Sequence, residues 1–180
     1  MTLLSRMIWA ISGFNALLGR LFSTFSLAIV LVCFTVVVLR YVFSISFIWM
    51  QDLYVWMNGI MFTGIAGYVF LRNGHVRVDV FYRPASLRRK AWIDLIGSLI
   101  FLTPFCYAII YWGWDYVRRS WRISESSLNA GGLEGLFIVK TFIMVFAVVI
   151  ALQGLAMVLR SILVLMRRDD LVPPSFRYSA

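Results

Sequence analysis

Residues 21–39, 53–71, 95–114 and 141–159 each run 19 or 20 positions without an acidic, basic or histidine side chain. Charges bound every stretch: Arg20 and Arg40, Asp52 and Arg72, Asp94 and Asp115, Lys140 and Arg160. At about 1.5 Å per residue, a helix of that length crosses a bilayer core of roughly 30 Å. The pattern predicts an all-α membrane protein with four transmembrane helices, spanning about 21–43, 50–72, 92–116 and 136–160 within one domain over 21–160, followed by a tail over 161–180. Ahead of these, Leu4, Met7, Ile8, Ile11, Phe14 and Leu18 recur at helical spacing, with Ser5, Ser12, Asn15 and Gly19 largely elsewhere on the wheel. Residues 1–20 are therefore expected to form an N-terminal amphipathic helix at the cytoplasmic interface, with an extension of span one as the alternative.

Charge orients the spans. The termini and the 72–94 loop carry 12 of the 17 Lys and Arg residues, and the 40–52 and 115–140 loops carry 5. The positive-inside rule then places both termini in the cytoplasm and these two loops outside. The net charge of +9 is gathered beside spans instead of along one polar face, which argues for contact with anionic phospholipids and against nucleic acid. A 62% hydrophobic content and a mean hydropathy of +0.87 leave no room for a separate soluble catalytic domain. Trp49, Trp56, Trp92, Trp112, Trp114 and Trp121 stand near span ends, as interfacial anchors do.

The uncharged interiors limit the chemistry. A bis-His haem site needs two facing histidines, and the single His75 lies in a loop. An exchanger needs a carboxylate within the membrane, and none of the four uncharged stretches holds one. No nucleophile or metal-ligand motif stands out, so the chain is expected to be neither an enzyme nor a cofactor or metal binder. Cys33 and Cys106, both within spans, read as small apolar residues.

The informative polar and small residues are few. Gly59, Thr63 and Gly67 form a narrow ridge in span two that admits a second helix backbone. Gln153, in span four, is expected to tie helices together, within the bundle or across to another subunit. Thr103 and Pro104 predict a kink in span three, with the threonine hydroxyl serving a freed carbonyl. Arg40, Trp49, Asp52 and Trp56 surround the first outward turn, where Arg40 and Asp52 can pair. His75, Arg77 and Asp79 alternate with valines, a period of two that suits an extended segment. In the second outward loop, Asp115 can meet Arg118 or Arg119 one turn on, and "NAGG" at 129–132 marks a turn. After Arg168 the Pro pair suggests a frayed or partner-bound tail.

Several of these segments carry a resemblance. "RYVF" closing span one, "WMQDLYVW" opening span two, "GHVRVDVF" after it, and "ESSLNAGGL" followed by Lys140 and "LQGLA" resemble, in that order, the small (Q-type) membrane subunit of tripartite ATP-independent periplasmic (TRAP) transporters. The likeness covers most of residues 20–160; it departs at Gln51, where a second acidic residue is common, and at Glu134–Gly135, where a proline is expected. The resemblance implies a subunit that scaffolds the large (M-type) membrane subunit and helps dock the periplasmic substrate-binding protein during sodium-coupled uptake of an organic acid. It directs attention to Gly59, Thr63, Gly67 and Gln153 for subunit packing. It also points to Arg118, Arg119, Arg122 and Glu125 as contacts of the binding protein. The competing reading is a stand-alone carrier or an accessory membrane anchor of another complex.

Overall fold

The structure, a computed structural model, describes residues 3–74 and 82–178. Four helical stretches in it are long and apolar enough to cross a membrane: Leu3–Val42, Ile48–Leu71, Leu87–Arg122 and Leu136–Leu165. Three of the four are interrupted, each for a local reason. The first divides into α1 (Leu3–Ser23) and α2 (Phe25–Val42) at Thr24, whose backbone stays near helical at φ −64° and ψ −23°. The second divides into α3 (Ile48–Gly64) and α4 (Ala66–Leu71) at Ile65.

In the third, α5 (Leu87–Gly97) passes through a wide π turn, Ser98–Leu102, into α6 (Thr103–Arg122). Pro104 has no N–H, and its ring crowds the carbonyl one turn back. The helix widens ahead of it: the Thr103 N–H reaches the Ser98 carbonyl, and the Thr103 hydroxyl donates to the same oxygen at 3.0 Å. The kink expected from the sequence thus takes the form of a π turn, a known way to pass a proline. The fourth stretch, α7 (Leu136–Leu165), is unbroken, and two 3-10 turns follow at Asp169–Leu171 and Pro174–Phe176.

α7 is the central element, packed by α1, α3, α4, α5 and α6. Its buried positions include Ala147, Gly154 and Ala156, small residues that let neighbouring backbones approach. α2, by contrast, buries no residue fully: it packs on α3 along one side and leaves Leu27, Val30, Leu31, Phe34 and Val37 outward.

α1 follows the pattern read from its sequence only in part: Leu4, Ile8, Ile11 and Leu18 pack inward, but Ser5, Ser12, Asn15 and Gly19 turn inward with them. Its buried stripe is Ser5, Ile8, Ser12, Asn15 and Gly19, while Leu3, Met7, Phe14 and Leu17 are exposed. In water, the apolar stripe of a helix turns inward. Against other helices in lipid, small and polar residues make the closer contacts, and apolar ones face the acyl chains. The contacts of α1 follow α7 in reverse order: Ile8 joins a cluster with Leu159 and Leu163, Asn15 meets Gln153, and the Phe22 ring meets that of Phe142 at 5.6 Å.

Candidate functional site

Polar groups inside the bundle gather at three levels, each joining segments distant in sequence. At the outer end, Asp52 projects from the first turns of α3 and is 8% exposed. Its Oδ1 accepts from Asn129 Nδ2 at 2.9 Å, and its Oδ2 accepts from the Leu133 N–H at 3.0 Å. The loop it grips is closed on itself by a Ser126–Glu134 bridge and by the Ser127 N–H donating to the Leu133 carbonyl at 2.9 Å. "NAGG" serves this geometry directly. Gly131 turns with φ +77°, and a Cβ on Gly132 would lie 2.3 Å from Asp52 Oδ2. Asp52 therefore closes the outward loop instead of pairing with Arg40, which is exposed and makes no ion pair among the described residues.

Beside that loop, Lys140 Nζ meets Glu125 Oε2 at 2.5 Å and lies 4.2 Å above the Tyr116 ring. The hydrogen bond and charge of Lys140 hold the Glu125 carboxyl below its usual range. Trp121 donates to the Thr141 hydroxyl at 2.8 Å and packs on Phe137, tying the end of α6 to the start of α7. Arg118, Arg119 and Arg122 remain exposed, and Asp115 makes no ion pair with either arginine among the described residues. Trp49 is exposed beside Phe47, and Trp56 is half-buried.

In the middle, the Asn15 amide donates to Gln153 Oε1 at 2.8 Å, joining α1 to α7. Gly67 of α4 makes room for this pair: a Cβ there would lie 2.3 Å from Asn15 Oδ1 and 3.0 Å from the Val149 carbonyl. Gly59 faces Val139 at a looser 3.8 Å, and the Thr63 hydroxyl returns to the Gly59 carbonyl at 2.7 Å. The same side of the second helix meets α1 again at Gly64, whose missing side chain admits the Phe22 ring.

At the inner end lies a cluster the sequence did not announce. Arg160 of α7, 1% exposed, donates to Asp94 Oδ2 of α5 at 2.5 Å and to the Phe176 carbonyl at 3.1 Å. Its guanidinium lies between the rings of Phe176 and Tyr178, at 4.2 and 4.1 Å. The phenols of Tyr82 and Tyr178 donate to the same Asp94 oxygen at 2.9 and 3.0 Å. Burial, with Asp94 alongside, pushes the Tyr178 phenol up to about 12 although Arg160 opposes the shift. Arg177 caps the Val172 and Asp170 carbonyls, and Ser5 of α1 donates to the Leu171 carbonyl at 2.8 Å. The segment past Arg168, expected to fray, is thus folded under the bundle, with Val172 and Phe176 in its core.

His75, Arg77 and Asp79 lie outside the described residues. No group of three or more His, Cys, Asp and Glu is arranged to hold a metal among the described residues, and Cys33 and Cys106 are free thiols. Asn15 with Gln153, Asp52 with Asn129 and Leu133, and Asp94 with Arg160 link segments distant in sequence.

Four apolar helical crossings joined by such ties define an all-helical multi-pass membrane protein. The family model described as "Tripartite ATP-independent periplasmic transporters, DctQ component" matches residues 29–168, and the chain belongs to that family. It is accordingly a small membrane component of a TRAP transporter, associated by membership with the large membrane component and the periplasmic component. The family is one of transporter components and not of enzymes. No curated protein and no solved structure matches the chain.

Proposed function

We propose that this chain is the scaffold of its transporter: it supports the large membrane subunit and presents an outward loop to the substrate-binding protein during sodium-coupled uptake of an organic acid. In this reading the chain sits in the bacterial inner membrane with both termini in the cytoplasm, in contact with phospholipids. The N-terminal helix packs along α7 from its cytoplasmic end, and Gly59, Thr63, Gly67 and Gln153 keep the scaffold packed. The observation that carries the reading is that buried charges serve internal contacts. Asp52 closes a loop, and Asp94 pairs with Arg160. A carrier needs charges free to change partners during transport.

Pull-down of the tagged chain with the large subunit, followed by reconstitution, tests this. The pair together should support uptake when binding protein is supplied, and the chain alone should not. Uptake by the chain alone would refute the scaffold reading. The exposed Arg118, Arg119 and Arg122, with Glu125 beside them, are assigned to the binding-protein contact. Charge reversal at the three arginines should lower uptake at limiting binding protein while leaving assembly intact.

A further inference from the structure

Asn58 lies on α3 six residues, or about 9 Å, inside Asp52, within the hydrocarbon layer. It is exposed, and its amide has no hydrogen bond among the described residues. Two threonine hydroxyls in the spans are satisfied within their own helix. Thr35 on outward-facing α2 returns its hydroxyl to the Leu31 carbonyl at 2.8 Å, and Thr63 does the same within α3. An asparagine amide carries two donors and an acceptor, and acyl chains satisfy neither kind.

The direction of Asn58 is fixed by its neighbours. At about 100° per residue it points roughly 100° away from Gly59, which faces α7, and roughly 120° from Gly64, which faces α1. Val55 and Phe62, exposed at the same helical spacing, continue the stripe. On α7 the exposed Leu155 stands roughly 200° from Gln153, again away from α1. Leu155 also lines a cavity of about 260 Å³ beside the π turn, together with Ser98, Thr103 and Gly154. The bundle therefore has one face closed by α1 and an opposite face left open, largely apolar, with the Asn58 amide as its exposed, unmatched polar group.

We propose that this open face, centred on Asn58, receives a transmembrane helix of the large membrane subunit, which hydrogen-bonds the Asn58 amide. The inference rests on the scaffold reading and adds its location. Hydrogen-bonding complementarity selects the occupant: lipid tails offer no partner for the amide, whereas a helix with a polar side chain does. α2, which packs on α3 along one side, offers the contrasting surface: its outer side is apolar and its Thr35 hydroxyl is already satisfied, so that side faces lipid.

A photo-crosslinking residue is placed at position 58, and separately at position 31 on α2, in the chain co-expressed with the large subunit. Position 58 should give an adduct with the large subunit and position 31 should give none. Asn58→Leu should lower the recovered complex roughly threefold to tenfold. The chain's own stability should not change, because the amide makes no internal bond. If the complex is recovered but position 58 reacts only with lipid or with a second copy, the location is wrong and the scaffold reading survives. If no complex is recovered under any condition, both fall.

Discussion

Removing the Arg160 guanidinium should be the most damaging single change at the inner end of the bundle. Arg160→Leu deletes the partner of Asp94, a carboxylate 7% exposed. Two phenols then remain on that carboxylate, and the Phe176 carbonyl loses its donor. Breaking one side of a buried ion pair costs about 3–5 kcal/mol, because the surviving charge has no compensation. Arg160→Lys retains the charge but loses the planar fork and the stacking between two rings, so it should fall between parent and Arg160→Leu. The decisive variant carries Asp94→Asn with Arg160→Leu. With no stranded charge it should recover about 2 kcal/mol relative to the sum of the single changes. SDS titration of the purified membrane complex gives the stabilities, and trypsin cleavage at the exposed Arg168 reports release of the tail. An Arg160→Leu loss under about 0.5 kcal/mol, or strict additivity in the double variant, would refute this account of the cluster.

The remaining expectations concern the same three levels. Tyr178 is held neutral in the folded chain, so its contribution is complete below pH about 10 and is lost as pH rises through about 12. Alkaline release of the tail should show that window in the parent and lose it in Tyr178→Phe. Glu125 is shifted the opposite way: its contribution is present above about 4.5 and disappears as pH falls through its lowered value. Hydrogen exchange of residues 123–135 should rise on acidification, and less so in Glu125→Gln. Asp52→Asn turns an acceptor into a donor facing the Leu133 N–H, at a cost of about 1–3 kcal/mol, and should loosen the outward loop without dissociating the complex. Gly67→Leu forces Asn15 and the Val149 backbone apart and should lower the yield of folded chain and of complex together.

The crossings were legible because an uncharged run of 19 or 20 residues has few other uses, and the structure contains four such helices. The outer motifs were legible as turns, but not as one unit. Nothing local in "WMQDLYVW" says that Asp52 will grip a loop 77 and 81 residues away. Asp94 and Arg160 were obscured by their own position. As the charges that end two spans they read as boundary markers, and only tertiary packing turns them toward each other. The tail misleads for a related reason. Its prolines do forbid a long helix, yet short 3-10 turns still bury Val172 and Phe176. In α1 the periodicity was sound, but the rule linking apolar residues to the buried face belongs to water. Asn58 escaped notice because a lone amide in an apolar helix has no periodic partner.

The ties of α1 set a timetable for the chain's synthesis. Asn15 leaves the ribosome 138 positions ahead of its amide partner Gln153. Ser5 waits for the carbonyl of Leu171, 166 positions on. At about 5–20 residues per second, the polar stripe of the first helix spends roughly 10 to 30 seconds without its final partners. A chain stopped before α7 would hold that stripe open at the membrane, in reach of quality-control proteases. α1, made before the rest of this bundle, is thus held by contacts that exist only once α7 and the segment after it are complete.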